Sequence, residues 1–252
     1  MILDQLIRAT ARRVAALPPA GEESVKNGSH FSLQGALERP EGQNAIIAEI
    51  KYASPSRGII REDRDPPGLA ASLAAGGCAA LSVLTEPHFF QGRPEYIPAV
   101  RSAVPVPILR KDFIIDERQL AESRNLGADA VLLIAAVLAE DLPGMVDAAS
   151  AYGLEPLVEV HTAAEARAAL ATDTRMVGIN NRDLSTLRID RSITRQLAPL
   201  VRDAGVAVIS ESGFSAPTDL HEFRHLVDGF LIGSAIMAAD NPANALEGFV
   251  FS

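Results

Sequence analysis

Eight short apolar runs, separated by stretches of helical composition, constrain the fold of this chain more than any other feature. Each run is five to seven residues long, as expected for a strand buried on both faces. Strands that alternate with helices indicate βαβ units and a parallel sheet. Eight units in about 200 residues favour an α/β fold closed into a (β/α)8 TIM barrel over an open doubly wound sheet. The runs are Ala45–Lys51, Ala79–Thr85, Ile108–Asp112, Asp129–Ile134, Pro156–Val160, Met176–Asn180, Val206–Glu211 and Gly229–Gly233.

The segments between the runs are rich in Ala, Leu, Glu and Arg, which favours helices. Most of them end at glycine, as at Gly127, Gly153 and Gly205, and glycine just past a helix end is common C-cap chemistry. No Gly-x-Gly-x-x-Gly motif follows the first run, which disfavours a dinucleotide-binding fold. The predicted helices include Gly68–Gly76, Glu117–Leu126, Leu142–Ala151, Ala163–Leu170, Ile193–Leu200 and Pro217–His225.

The segment before the first run predicts a helical extension. Pro18-Pro19 ends a first amphipathic helix, a second short helix is expected around Ser32–Glu38, and Asn27-Gly28-Ser29 is typical of a turn. We therefore expect residues 1–44 to pack on a catalytic barrel formed by residues 45–252. The apolar residues at helical spacing in the first helix are Leu3, Leu6, Ile7, Ala11, Val14 and Leu17.

Charge and composition exclude several classes of protein. A net charge of −9 argues against a general binder of nucleic acid or anionic membranes. No signal peptide precedes the fold and no apolar run approaches about 18 residues, so neither secretion nor membrane insertion is expected. The single Cys78 excludes an intrachain disulfide and is expected in the core. These observations predict a cytoplasmic protein. The sequence does not give the oligomeric state, for which we expect a monomer or weak dimer.

Charged or amide side chains end five of the predicted strands. Residues i and i+2 share a face of a strand, so Glu49 and Lys51 point the same way, in line with Ile47. The active site of a (β/α)8 barrel lies at the C-terminal ends of its strands. Five strands that end alike therefore predict one cavity rather than scattered salt bridges. The residues that converge are Glu49, Lys51, Lys111, Glu159, Asn180, Arg182 and Glu211, with Arg110 and Asp112 on the opposite face from Lys111.

The last two strand ends carry a separate signal. Ser212-Gly213 and Gly233-Ser234 expose backbone N–H groups, and a helix predicted from Ser234 adds its positive end. Barrels commonly hold phosphate at this place, and Lys51 can supply the countercharge. Interleaved lysines disfavour a metal ion among these carboxylates.

The residues alone thus predict an enzyme acting on a phosphorylated small molecule. A buried Lys next to Arg is expected to have a lowered pKa and a Glu among apolar neighbours a raised one. Proton transfer, dehydration and Schiff-base formation all fit such a site, and composition and spacing do not choose among them.

The motifs at successive strand ends resemble those of the indole-3-glycerol phosphate synthase family over residues 45–240. Two departures are Tyr52, where the family commonly has a basic residue, and Arg57, where lysine is common. The motifs that carry the resemblance are Ile47-Ala48-Glu49-Ile50-Lys51 with Ala53-Ser54-Pro55-Ser56, Leu81-Ser82-Val83-Leu84-Thr85-Glu86 with Phe89-Phe90-Gln91-Gly92, Leu109-Arg110-Lys111-Asp112-Phe113, Val158-Glu159-Val160-His161, Gly178-Ile179-Asn180-Asn181-Arg182-Asp183-Leu184 and Ser210-Glu211-Ser212-Gly213.

The resemblance implies a reaction and catalytic roles. The reaction is closure of 1-(2-carboxyphenylamino)-1-deoxyribulose 5-phosphate to an indole, with loss of carbon dioxide and water. Lys111 would be the general acid on the carbonyl and Glu159 the base that assists loss of water. Lys51 would bind an anionic group and donate a later proton, a division of work that stays open. Glu49 and Asn180 would position these groups and the sugar hydroxyls.

The resemblance also implies binding roles and no cofactor or metal. Glu211 would hold the lysines in place, and Arg182, with Ser54 or Ser56, would bind the anthranilate carboxylate. Phosphate would lie on Ser212, Gly213, Gly233 and Ser234. The wall of the ring pocket would be Phe89, Phe113, Leu133, Leu184 and Leu231.

Three other interpretations stay open at this point. They are another phosphate-binding barrel such as phosphoribosylanthranilate isomerase, a Schiff-base aldolase that uses Lys111, and a catalytically silent phosphometabolite sensor. The Glu, Lys and Arg set is richer than the isomerase needs. A sensor has no reason to keep Lys111 and Glu159.

Overall fold

The computed structural model describes residues 2–19 and 31–252, and its centre is a closed barrel of eight parallel strands. Each strand pairs with the next along the chain, and β8 pairs with β1 to close the sheet. The predicted (β/α)8 barrel is confirmed. The strands are β1 (Ile46–Ile50), β2 (Ala80–Leu84), β3 (Ile108–Lys111), β4 (Ala130–Ile134), β5 (Glu155–Val160), β6 (Met176–Asn180), β7 (Ala207–Glu211) and β8 (Gly229–Ile232).

Helices follow the strands around the barrel, and two short strands, Ala53–Ser54 and Gly58–Ile59, form a hairpin in the loop after β1. Five of the six helices predicted between strands lie where expected. The helices are α1 (Ile2–Ala15), α2 (Leu33–Ala36), α3 (Pro66–Ala75), α4 (Tyr96–Ala103), α5 (Glu117–Leu126), α6 (Ala135–Leu138), α7 (Leu142–Ala151), α8 (Ala163–Leu170), α9 (Ser192–Asp203), α10 (Ser234–Met237) and α11 (Pro242–Val250).

The sixth prediction, an α-helix over Pro217–His225, is wrong. The segment forms a 3-10 turn at Pro217–Leu220, followed by further turns. Leu220 and Phe223 are fully buried three residues apart, and the N–H of Phe223 donates to the carbonyl of Leu220. A bond to the carbonyl three residues back is the pattern of a 3-10 turn, and it brings residues three apart to the same face.

The alternation of side chains along each strand divides the core into two layers. Ile46, Ala48 and Ile50 of β1 belong to the cluster between strands and helices, which also holds Cys78, buried as predicted. Ile47 belongs to a second cluster inside the barrel, together with residues such as Leu109. The predicted faces of β1 are therefore confirmed, and the inner face leads directly to Glu49.

The two helices before β1 pack against the inner cluster. Leu6 of α1, Leu33 of α2 and Leu37, the residue that follows α2, are buried in it. The hydroxyl of Ser32 caps α2 by accepting the N–H of Gly35 at 2.9 Å. The predicted turn at Asn27-Gly28-Ser29 lies outside the described residues. The division into an extension of residues 1–44 and a barrel domain of residues 45–252 stays a prediction.

A buried ion network ties α1 to β3. The carboxylate of Asp112 accepts hydrogen bonds from Arg13 at 2.7 Å, Thr85 at 2.6 Å and Arg110 at 3.1 Å. Arg110 also donates to Glu122 of α5 at 2.6 Å. Because the side chains of Arg110 and Asp112 are fully buried, each charge depends on its partners for solvation.

Among the described residues, no helix combines the length and the apolar character that a membrane crossing requires.

Replacing Arg13 by Gln tests whether this network holds α1 in place. The change leaves the buried Asp112 carboxylate short of a charged donor, so the free energy of unfolding should fall by about 1–3 kcal/mol. Hydrogen exchange of the α1 amides should accelerate. The matched control is Arg12→Gln, because Arg12 is the exposed neighbour on the same helix. Equal stability of both variants would refute the anchoring role.

Candidate active site

A cavity of about 260 Å³ opens at the C-terminal ends of the barrel strands. It is walled by the strand ends, by the loops that follow them and by Leu3 and Leu6 of α1. Sixteen of the predicted site residues line it. They are Glu49, Lys51, Ser54, Ser56, Lys111, Phe113, Glu159, Asn180, Arg182, Leu184, Glu211, Ser212, Gly213, Leu231, Gly233 and Ser234.

Lys111 lies at the centre of the charged floor of the cavity. Its Nζ donates to Glu159 Oε2 and to Glu211 Oε2, both at 2.9 Å. Glu159 and Glu211 are 3% and 1% exposed, so these ion pairs are screened little by water. The parallel register carries the ends of β3, β5 and β7 to the same level of the barrel, which is why three side chains distant in sequence meet.

Burial alone would lower the pKa of Lys111, but the carboxylates of Glu159, Glu211 and Glu49 outweigh it and hold that pKa well above its ordinary range. The prediction of a lowered lysine pKa is therefore wrong for Lys111. The prediction assumed that Arg110 would act on Lys111. Arg110 lies instead on the opposite face of β3, where it donates hydrogen bonds to Asp112 and Glu122. Lys111 thus remains an ammonium at neutral pH.

Glu211 behaves as the sequence predicts for a buried carboxyl. Burial raises its pKa to about 7, helped by the nearby carboxylates of Glu159 and Glu49 and opposed by Lys111. Its Oε1 is buried and has no hydrogen-bond partner in the described part of the chain. A Cβ on Gly178 would collide with this same oxygen. Glycine at 178 therefore makes room for the Glu211 carboxylate.

Glu49 and Lys51 form a second ion pair on the same wall. Lys51 Nζ donates to Glu49 Oε2 at 2.7 Å. A Cβ on Gly233 would collide with that oxygen, so the glycine after β8 leaves space for the pair. The ends of β1 and β8, which pair to close the barrel, therefore pack closely at Glu49 and Gly233.

Asn180 and Arg182 extend the polar wall at the end of β6. The backbone N–H of Arg182 donates to Asn180 Oδ1 at 2.9 Å, and His161 Nδ1 lies 2.7 Å from the carbonyl oxygen of Asn180. Because a carbonyl only accepts, His161 holds its proton on Nδ1 and steadies this strand end. Burial, together with the positive charge of Arg57, lowers the pKa of Arg182. Its guanidinium donates to the carbonyl oxygen of Leu187 at 3.0 Å, and no ion pair joins it to a carboxylate among the described residues.

The loops after β7 and β8 both line the cavity. Ser212 and Gly213 both adopt left-handed backbone conformations, with φ of 68° and 93°. A helix does begin at Ser234, as predicted, but α10 has only four residues. The backbone N–H groups of this corner, rather than a long helix dipole, are what it can offer an anion.

Two predicted wall residues are not part of the cavity lining. Leu133 faces the outer cluster, while Leu132 and Ile134, on the other face of β4, line the cavity. The alternation of side chains along β4 could have shown that Leu132 and Ile134, rather than Leu133, face the barrel interior. Phe89 packs against the inner cluster, but the lining residue is its neighbour Phe90.

Other lining residues have no chemical signature in the sequence. Leu187 and Ile189 come from the loop after β6, and Leu3 and Leu6 come from α1. The helical spacing showed that α1 has an apolar face, but not that this face meets the barrel mouth.

Comparisons with known proteins agree on one family. The family model described as indole-3-glycerol phosphate synthase matches residues 3–249. A protein of that name from Carboxydothermus hydrogenoformans is 46% identical over 90% of this chain and 87% of its own. Another, from Azoarcus sp., is 48% identical over 97% and 94%.

Similar solved structures support the fold alone. The tryptophan synthase alpha chain from Legionella pneumophila gives a TM-score of 0.64 at 11% identity, over 88% of this chain and 96% of its own. KGPDC from Streptococcus mutans gives 0.61 at 18% identity, over 82% and 95%.

The pKa of Glu211 predicts how stability depends on pH. The Glu211 carboxyl binds its proton more tightly in the folded chain than in the unfolded chain. The free energy of unfolding should therefore fall as pH rises from 4.5 to about 7. Urea unfolding of wild type and Glu211→Gln across this range measures the effect. The wild type should lose stability relative to the variant, whereas the exposed control Glu247→Gln should track the wild type. A pH-independent difference between wild type and Glu211→Gln would contradict the raised pKa.

Proposed function

The chain belongs to the indole-3-glycerol phosphate synthase family, and we propose that the cavity at its barrel mouth carries out the family's ring closure. The protein is a carboxy-lyase of tryptophan biosynthesis. The substrate, 1-(2-carboxyphenylamino)-1-deoxyribulose 5-phosphate, becomes indole-3-glycerol phosphate with loss of carbon dioxide and water. The observation that carries the assignment of roles is Lys111, held at 2.9 Å from both Glu159 and Glu211 inside the cavity.

In the first step, the ring carbon that bears the carboxylate attacks the substrate carbonyl carbon. Lys111 donates a proton to the carbonyl oxygen as negative charge develops there. The carboxylate then leaves as carbon dioxide, and its bonding electrons restore the aromatic ring. An ammonium whose pKa is raised by three carboxylates is present in the acid form at neutral pH.

In the second step, water is lost from the new five-membered ring. Glu159 takes the proton whose loss forms the ring double bond, and the hydroxyl group leaves with a proton from a lysine ammonium. Glu159 is next to Lys111, so the departing proton has a short path. Lys51, paired with Glu49, either donates in this step or binds an anionic group of the substrate. Asn180 positions the sugar hydroxyls.

The two ends of the substrate fit the two polar corners of the cavity. The Arg182 guanidinium, with Ser54 or Ser56, binds the anthranilate carboxylate. The loops of Ser212-Gly213 and Gly233-Ser234 bind the phosphate through their N–H groups. Between these corners, apolar residues such as Phe113, Leu184 and Leu231 contact the aromatic ring.

The protonated state of Lys111 disfavours the aldolase interpretation. A Schiff base needs a neutral amine as nucleophile, whereas the surrounding carboxylates raise the Lys111 pKa. We propose that the enzyme works in the cytoplasm as a monomer or weak dimer. The net charge of −9, which disfavours nucleic acid and anionic membranes as partners, supports the cytoplasmic setting.

Replacing Lys111 by Ala tests the acid directly. Indole fluorescence should show a kcat lower by about 10²–10⁴-fold, because a positioned general acid contributes about that factor. The KM should change little, since the carboxylate and phosphate corners remain. Borohydride added to wild type with substrate should trap no covalent adduct. A fully active variant, or a trapped adduct on Lys111, would refute the proposed role, and wild type that forms no indole would refute the activity.

Replacing Gly178 by Ala tests the placement of Glu211 without touching a charged residue. The added Cβ displaces the Glu211 carboxylate, so kcat should fall at least about tenfold, a barrier change of roughly 1.4 kcal/mol. The matched control is Gly144→Ala in α7, where a Cβ meets no atom within 4 Å. That control should keep full activity. Equal kinetics of the two variants would contradict the requirement for space at Gly178.

A further inference from the structure

A closed ring of hydrogen bonds lies directly behind the loop after β7. Asn181 Nδ2 is 3.2 Å from Ser210 Oγ, Ser210 Oγ is 2.7 Å from Thr194 Oγ1, and Thr194 Oγ1 is 2.8 Å from Asn181 Oδ1. All three residues are fully buried. None of them lines the cavity or has a role in the reaction described above.

The donor at each link follows from the chemistry of the groups. The amide nitrogen of Asn181 can only donate, so Ser210 Oγ accepts from it. The amide oxygen can only accept, so Thr194 gives its one hydroxyl proton to Asn181 Oδ1. Ser210 must then donate to Thr194. Donors and acceptors run in one direction around the ring, an arrangement that strengthens each bond and fixes which way the amide of Asn181 faces.

The ring leaves one proton of the Asn181 amide pointing out of it. This Nδ2 donates to the carbonyl oxygen of Ser212 at 3.0 Å. Ser212 has a φ of 68°, a left-handed conformation that costs a non-glycine residue about 1–2 kcal/mol. The bond from Asn181 therefore holds the strained residue where the chain turns into the cavity.

The same loop is held at its other end by a different residue. Asp219 Oδ2 accepts the N–H groups of Ser215 and Ala216 at 2.8 and 2.9 Å, and Arg191 forms an ion pair with Asp219 at 2.7 Å. Between these two attachments, the N–H of Gly213 donates to no group among the described residues. The loop is thus fixed on both sides of the Gly213 N–H.

We propose that Asn181 is a positioning residue for recognition of the substrate's phosphate group. Its amide orients the peptide units of Ser212 and Gly213, so that their N–H groups are directed at a phosphate before one binds. Preorganised donors bind an anion more tightly, because the loop need not be ordered at the moment of binding. This inference rests on the phosphate corner given in the proposed function and adds the residue that shapes it.

The test is Asn181→Asp, which replaces the donating nitrogen by a carboxylate oxygen. That oxygen repels the Ser212 carbonyl oxygen instead of donating a hydrogen bond to it. The inhibition constant of inorganic phosphate and the KM for the phosphorylated substrate should each rise about tenfold, the cost of roughly one such hydrogen bond. The kcat should change less than about threefold, because the backbone bond from Asn181 to Glu211 is independent of the side chain.

The matched control is Thr194→Val, which opens the ring but leaves the bond from Asn181 to Ser212 in place. The backbone N–H of Thr194, which donates to Asn181 Oδ1 at 3.2 Å, still sets the orientation of the amide in this variant. It should lower thermal stability while the phosphate inhibition constant stays at the wild-type value. A rise of that constant in both variants, or in neither, overturns the proposal. Should Asn181→Asp not fold, the uncharged Asn181→Ser takes its place in the same assay.

Failure of this inference is separable from failure of the proposed function. Wild type that neither forms indole nor binds inorganic phosphate in calorimetry refutes the function and the phosphate corner. Wild type that does both, with Asn181→Asp indistinguishable from Thr194→Val, refutes the role of Asn181 alone.

Discussion

The pairing of the Lys111 ammonium with two buried carboxylates is the interaction on which the site depends. An uncompensated charge inside the barrel would cost several kcal/mol, so Lys111, Glu159 and Glu211 stabilise one another or none is tolerated. The glycines at 178 and 233 are consequences of this demand, because each leaves space for a carboxylate oxygen. On the other face of β3, Arg110 and Arg13 compensate the buried charge of Asp112 in the same way.

The balance of charges in the cavity also bears on how an anionic substrate binds. The cavity is lined by equal numbers of carboxylates and cations. They are Glu49, Asp112, Glu159 and Glu211 with Lys51, Arg57, Lys111 and Arg182. A substrate that carries a carboxylate and a phosphate adds negative charge to this balanced set. A carboxyl whose pKa is near 7, such as that of Glu211, can take up a proton and offset part of it. The raised pKa is thus useful to a site whose ligand is anionic.

Much of the fold and the chemistry could be read from the sequence because strands carry a period of two. That period placed Glu49, Lys111, Glu159 and Glu211 inside the barrel and Arg110 outside it. The pKa of Lys111 could not be read in the same way, because it depends on which side chains approach through space. Arg110 is adjacent in sequence, yet the deciding neighbours are on β5 and β7.

The remaining differences arise from packing between elements. Leu3 and Leu6 reach the cavity because α1 is attached to Asp112, a contact across 99 positions of sequence. Leu220 and Phe223, at the end of the 3-10 turn and three residues beyond it, pack in the outer core. Local composition carries little information about either.

The chain contains only three lysines, Lys26, Lys51 and Lys111, against twenty arginines. Two of the three are the ammonium groups of the cavity wall, and within residues 2–19 and 31–252 every other Lys or Arg position is arginine. Arginine does not react with mild amine reagents and does not contribute to a lysine side-chain spectrum. Isotope labelling of lysine alone would give a nearly background-free view of proton transfer, in which two of three side-chain signals report directly on the reacting centre.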